Sequence, residues 1–272
     1  VLVFSVDPIT ATEKGMGTFA VHVTANDIAS SGAEPVGIMT SIILPPRKRE
    51  KYLRELMGEI EAACRKLEIE IMGGHTEISN VVNQPVVTVT GVGKVKKEKL
   101  VSTGGLQVGD DLVLTKWAGL EGTAIIAAQK REKLLETLPE ELVDTAADFY
   151  QYLSVVPEAK IAVETGVSAM HDVTEGGIFG ALWEIGAAAD LGISADLTKI
   201  PIRQETIEVC EVFGINPYQM MSSGSMLIGC AKGNLLVDRL KESGIPAAVI
   251  GRATDSNDRV ITNGEEIRFL EP

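Results

Sequence analysis

Three runs rich in Val, Ile and Thr constrain this chain more than any other feature: VLVFSV (1–6), PVGIMTSIIL (35–44) and PVVTVTGVGKV (85–95). Each has the composition of a strand. Between the last two lies KREKYLRELMGEIEAACRKL (48–67), in which Leu53, Leu56, Ile60, Ala63, Cys64 and Leu67 recur at helical spacing. Strands separated by an amphipathic helix predict an α/β fold. After the turn STGGLQVGDD (102–111) a fresh strand is expected at DLVLTK, then a helix-rich stretch to about Gly166. Beyond it, SAMHD, GISADL, SMLIGC and AAVIGRAT read as strands alternating with helices. The glycine-rich turn places the expected domain boundary near Gly109, giving domains 1–108 and 109–272.

Composition excludes some partners. The net charge of −13 argues against nucleic acid or an anionic membrane surface, since both reward clustered Lys and Arg. It leaves room for a small phosphate ligand held by backbone amides and a divalent cation. Cys64, Cys210 and Cys230 are widely spaced and fall in core-like segments, which predicts buried free thiols in a reducing cytoplasm. No apolar stretch approaches the roughly 18 residues of a membrane span, and no signal peptide is visible. The chain opens at Val1 inside a strand, so a segment upstream of it is expected.

Four stretches carry polar groups where a core pattern would not put them. In FSVDPITATEKGMG, Asp7 is expected to end a strand and enter a loop, either as a turn former or as a ligand group. In TFAVHVTANDIASSGAEP, Asn26 and Asp27 sit inside a predicted helix ending at Ser31-Gly32. Both are poor helix formers, and the small residues around them imply that something approaches the helix closely. That pattern favours a functional role. In IEIMGGHTEISN, a short strand is expected to run into Gly73 and Gly74, followed by His75, Thr76 and Glu77; a tight turn and a ligand loop fit equally well.

The fourth stretch is AMHDVTEGGIFGAL (169–182), a strand turning into a helix through Asp172, Thr174, Glu175, Gly176 and Gly177. One reading is helix capping. The other is a phosphate-binding turn, in which glycines bare the first amides of the helix to an anion.

Together SVDPIT, VTANDIASSGAEPVGI, GGHTEIS, AMHDVTEGGIFGALWEIG and MMSSGSMLIG resemble the aminoimidazole ribonucleotide (AIR) synthetase, or PurM-like, superfamily, closest to its HypE-like, AIR-synthase-related members. The resemblance implies an N-terminal α/β domain whose sheet forms a barrel with its dimer mate, and a C-terminal α/β domain. It implies a site for ATP and Mg²⁺ between them, with Asp7, Asp27 and Asp172 as metal ligands. Asn26, Asp27, Gly73, Gly74, His75, Thr76, Glu77, Thr174, Gly176 and Gly177 would face the nucleotide. His75 stands where the family has an acid, with Glu77 two residues on. HypE-type members end in a tail whose terminal cysteine receives a carbamoyl group, and GEEIRFLEP carries none. The expectation is therefore either an ATP-dependent enzyme that phosphorylates a carbonyl or amide oxygen of a small substrate, or a nucleotide-binding partner in hydrogenase or other maturation without turnover of its own.

Overall fold

Alternation along the first strand sets how the N-terminal part is built. In the computed structural model, which describes residues 1–10 and 15–271, β1 spans Leu2–Ile9. Val3, Ser5, Asp7 and Ile9 turn inward, while Leu2, Phe4 and Val6 stay about 60% exposed. The ATEK part of the loop expected after Asp7 lies outside the described residues. Helix α1 (Met16–Ser30), strand β2 (Glu34–Leu44), helix α2 (Glu50–Leu67) and strands β3 (Glu70–Ile78) and β4 (Val86–Lys94) complete this unit. The sheet runs in the order β1-β4-β2-β3, with β2 and β3 parallel and the other pairs antiparallel.

Glycines of β4 decide how closely α1 can lie on the sheet. A Cβ on Gly91 would overlap Thr24 and Ile28 of α1, and one on Gly93 would overlap Ile28. Gly17 is similarly pressed onto the Leu56 carbonyl of α2, and its N–H donates to Glu59 Oε2 at 2.9 Å. The small residues of α1 therefore answer to the sheet and to α2.

Two sequence expectations change here. Asp7 lies inside β1, opposite Val89 of β4, and does not end the strand. Gly73 to Glu77 form no loop: they continue β3 along the sheet edge, pairing with Met39 to Ile43. A bulge at Met72, between the Ile38–Ile71 and Met39–Gly73 pairs, shifts the register. Gly74 is required because a Cβ there would overlap the Thr40 carbonyl. Backbone packing explains this glycine.

The second unit begins at Val101, with the first ending at Leu100. That is earlier than Gly109, because residues before the glycine turn already belong to the second core. Thr103 Oγ1 donates to the Met170 carbonyl at 3.2 Å, and Leu106 is buried in the central cluster. The unit comprises β5 (Asp111–Thr115), α3 (Leu120–Gln129), α4 (Arg131–Leu134), α5 (Glu140–Ala147), α6 (Val156–Thr165), β6 (Ala169–Asp172) and α7 (Gly177–Ala189). Then come β7 (Gly192–Asp196), α8 (Gln204–Phe213), β8 (Met226–Cys230), α9 (Gly233–Glu242), β9 (Ala247–Thr254), β10 (Arg259–Asn263) and β11 (Glu266–Phe269).

Its sheet has the order β11-β10-β7-β9-β5-β8-β6. Only β10 and β7 are parallel. Ile178, Leu182 and Ile185 of α7 pack with Leu112, Leu114 and Leu227 of the sheet. The β10–β11 hairpin was not legible in sequence. At the end of β5, Lys116 is buried in a left-handed conformation (φ 53°). Its Nζ pairs with Glu158 of α6 at 2.6 Å and donates to the Tyr152 and Ser154 carbonyls. A charge this deep is tolerable only when it is paired and hydrogen-bonded in this way.

The tight fit at Gly74 gives a direct test. Gly74→Ala should destabilise the protein by about 1–3 kcal/mol, the range for overpacking against groups that cannot retreat. Denaturant unfolding with an unchanged midpoint would contradict the packing described.

Candidate functional site

Ser5 and Asp7 share one face of β1 because side chains alternate along a strand. Thr24 and Asp27 share one face of α1 because residues three apart do. The glycine-lined contact brings these two faces together. Thr24 Oγ1 donates to Asp7 Oδ2 at 3.3 Å, and Ser5 Oγ lies 3.1 Å from the same oxygen. Ser5 Oγ also makes a short hydrogen bond with Asp27 Oδ2.

This cluster crowds two acids together. A hydroxyl has one proton to donate, yet the Ser5 oxygen sits between two carboxylates. Burial, then the neighbouring charge of Asp27, push Asp7 up from its ordinary value of 3.8 to about 6. Either a proton or a cation relieves the repulsion. The donors are hard oxygens, which suit Mg²⁺, an ion that takes one or two carboxylates and fills its remaining positions with water and phosphate. No group of three or more His, Cys, Asp or Glu side chains placed to hold a metal occurs among the described residues. A two-carboxylate set thus fits a magnesium ion shared with a phosphate ligand better than an all-protein cage. Asn26 is buried beside Asp27. Ser5 and Thr24 went unnoticed in sequence, although strand and helix periodicity place both on the faces that carry the acids.

His75 and Glu77 lie on β3, at the opposite sheet edge from β1. They are exposed, with His75 Nε2 3.5 Å from Glu77 Oε2. This unit therefore does not gather residues 73–77 around the Asp7–Asp27 pair.

In the second unit the expected strand, turn and helix are present. Asp172 is buried at the end of β6, opposite Met226. Its neighbour His171 meets Glu184 of α7 at 2.7 Å. Gly176 caps α7 with a left-handed φ of 76°, and Gly177 follows at 61°. Two amides at this helix start are already taken up by the protein. The Gly177 N–H donates to the Thr174 carbonyl and the Phe179 N–H to the Tyr218 carbonyl, both at 3.2 Å. A Cβ on Gly177 would meet the Tyr218 and Met220 carbonyls at 2.6 and 2.7 Å. Those contacts favour capping and backbone packing over a bare anion pocket at Gly177. Thr174 contributes its carbonyl, and Glu175 is exposed.

Sequence reasoning also missed Glu121, in the first turn of α3. It is fully buried. Its Oε2 accepts the Ser223 N–H at 3.1 Å, while Oε1 has no hydrogen-bond partner. Burial pushes its carboxyl up from 4.5 to about 7. The signal was a lone acid in the otherwise small and apolar run LEGTAIIAA. All three cysteines are free and buried, as expected, and burial pushes each thiol up to about 11.

Strand order, helix placement and the two-unit division define a PurM-like α/β protein. A solved structure of Escherichia coli HypE, a hydrogenase maturation protein, covers all of this chain and 86% of its own, with a TM-score of 0.86 at 22% identity. HypE solved in complex with ATP gives 0.85 at 19% identity, covering 100% of this chain and 84% of that one. The model of the AIR synthase related protein N-terminal domain matches residues 1–95, and that of the C-terminal domain matches 107–263. The chain belongs to the AIR synthase-related family. Among curated relatives, a hydrogenase expression/formation protein of Methanocaldococcus jannaschii is 27% identical over 96% of this chain and 78% of its own length. Carbamoyl dehydratase HypE of Rhodobacter capsulatus is 27% identical over 92% of this chain and 73% of its own length. No described helix is long and apolar enough to cross a membrane.

The raised Asp7 carboxyl predicts a pH dependence. The native state binds its proton more tightly than the unfolded chain, so the contribution of this group to stability should be greatest below about pH 4 and fall as pH rises through about 6. Without divalent cations, Asp7→Asn should remove that fall and be about 1–2 kcal/mol more stable at pH 8, less than the full shift because the pair is partly solvated. Parallel pH profiles for the two proteins would refute the assignment.

Proposed function

We propose that this protein binds ATP with Mg²⁺ and uses it to activate a carbonyl or amide oxygen of a small substrate by phosphorylation. The observation that carries the reading is the pair of carboxylates, Asp7 and Asp27, brought together on Ser5. Two carboxylates brought side by side form a site whose repulsion a hard cation relieves. Family membership supports the nucleotide, since HypE has been solved with ATP and the related protein AaThiL with AMPPCP and TMP.

In this reading Asp7 and Asp27 hold the cation, Asn26 faces the nucleotide, and Asp172 is a further metal-binding carboxylate. Gly73, Gly74, His75, Thr76 and Glu77 are proposed to face nucleotide or substrate from β3. Thr174, Gly176 and Gly177 shape the turn after Asp172. Bound Mg²⁺ would neutralise phosphate charge and orient the phosphate to be transferred.

A second reading is ATP-dependent association with a maturation partner, without turnover. The buried thiols favour it: none of Cys64, Cys210 and Cys230 offers an accessible nucleophile to carry a carbamoyl group. HypE has also been solved in a complex with HypF. ATP turnover assayed with amides, carbamoyl donors and purine intermediates separates the two. Turnover with any of them supports the enzyme, and binding without turnover supports the partner.

Magnesium-ATP should bind at about one per chain. Asp27→Asn and Asp172→Asn should each weaken it by roughly 1–3 kcal/mol, the range for losing a charged hydrogen-bonding partner. Calorimetry showing unchanged affinity in the double variant would remove the metal assignment.

We also propose a homodimer formed through the open sheet face. Leu2, Phe4, Val6, Met39 and Met72 leave that face apolar and exposed, and a second copy covers it with a self-complementary surface. Light scattering at micromolar concentration should give twice the chain mass, reduced to one chain by Phe4→Asp with Val6→Asp. A monomeric parent protein would contradict the proposal.

A further inference from the structure

The segment Tyr218–Ser225 links two parts of the second unit that the sequence keeps far apart. On one side it takes up the start of α3: the Gly119 N–H donates to Ser222 Oγ at 2.7 Å and the Gly122 N–H to the Met221 carbonyl at 2.9 Å. On the other side it supports the strand end and turn. The Val173 N–H donates to the Ser225 carbonyl at 3.0 Å, and the Phe179 N–H to the Tyr218 carbonyl. Gly177 is pressed onto the Tyr218 and Met220 carbonyls. Glu121 reaches the middle of this segment through the Ser223 N–H.

We infer that Glu121 is a positioning residue: its carboxyl fixes the 218–225 segment and, through Ser225 and Tyr218, the strand end carrying Asp172 and the turn that follows. Its bearing on nucleotide binding rests on the reading proposed above, whereas its bearing on the order of the segment does not.

The geometry favours the neutral acid. Oε1 is buried without a partner, and burial penalises the ionised carboxylate more than the Ser223 N–H and side chain favour it. The titratable groups facing it reinforce this. Glu175, in the turn before α7, raises the Glu121 carboxyl further, and Tyr150, on the helical turn after α5, is pushed up to about 12 by burial and then by Glu121. Helix α8 meets α3 at Thr123 through an uncharged contact, a hydroxyl pair with Thr206 at 2.9 Å. Neither acid nor phenol can compensate a negative charge here. Raising the pH through about 7 should therefore loosen the segment, because the opened state gives up the Glu121 proton more readily than the closed one.

The test is amide hydrogen exchange on the ligand-free full chain, with protection factors corrected for the intrinsic pH dependence of exchange. Between pH 6 and 8.5, protection at the Ser223 and Val173 amides should fall roughly tenfold in the parent protein, as expected for an acid titrating near 7 in the closed state and near 4.5 in the open one. Glu121→Gln keeps an oxygen for the Ser223 N–H and removes the titration, so its protection should stay level across that range. Magnesium-ATP affinity, measured in the same two proteins, should fall with pH in the parent and less so in Glu121→Gln. Level protection in the parent, or an equal fall in both proteins, overturns the inference. Should Glu121→Gln not fold, the parent profile alone decides. Should no magnesium-ATP bind at any pH, the nucleotide reading fails while the exchange profiles still decide the role of Glu121.

Discussion

The approach of α1 to β4 is the constraint on which the N-terminal unit turns. A helix normally stands off a sheet by the width of its side chains, and that distance would keep Asp27 away from β1. Gly91 and Gly93 remove the side chains in between, so Thr24 and Ile28 settle directly onto the strand backbone. Only then does Asp27 come within reach of Ser5 and Asp7. Packing and electrostatics are coupled here: the contact that buries Ile28 also places two acids around one hydroxyl. Burial of apolar surface provides the free energy that holds like charges together, and the repulsion that results is what a cation would relieve.

The second unit solves a related problem with backbone rather than charge. Asp172 must sit at the end of a short strand, next to a turn with two left-handed glycines. Such a turn has few side chains of its own to pack. The 218–225 segment supplies the missing contacts, through carbonyls that receive amides from Val173 and Phe179. Glu121 and Ser222 in turn hold that segment from beneath. A buried hydrogen-bond network of this kind defines one arrangement because each unmade bond leaves a dry polar group.

The β-branched composition that made β1, β2 and β4 legible is missing from most of β3. EIMGGHTEI has two adjacent glycines and no apolar stripe, because the strand lies at the edge of the sheet and all of its residues are exposed. An edge strand has no core face to write a period into the sequence. The β10–β11 hairpin was missed for a similar reason, since every residue of β11 is exposed. Helix α7, by contrast, was legible because Ile178, Leu182 and Ile185 each lie in the core. Candidate acids at Asp7, Asp27 and Asp172 could be singled out because each interrupts an otherwise apolar or small-residue pattern. Ser5, Thr24 and Glu121 escaped notice: a serine or threonine breaks no pattern, and one acid in the first turn of a helix reads as an ordinary partner for its dipole.

By itself, the sequence determined the α/β class, most strands and helices, the family and the burial of the three thiols, because hydrophobic period and β-branched composition record which face of each element meets the core. Tertiary structure alone decided which acids become neighbours and why particular glycines are glycine. Asp7 and Asp27 are joined by the fit of α1 on β4, Gly74 is dictated by the Thr40 carbonyl, and Gly177 by the carbonyls of Tyr218 and Met220. Those constraints arise between backbones distant along the chain. A local pattern shows that a residue is small or acidic, but not what stands opposite it.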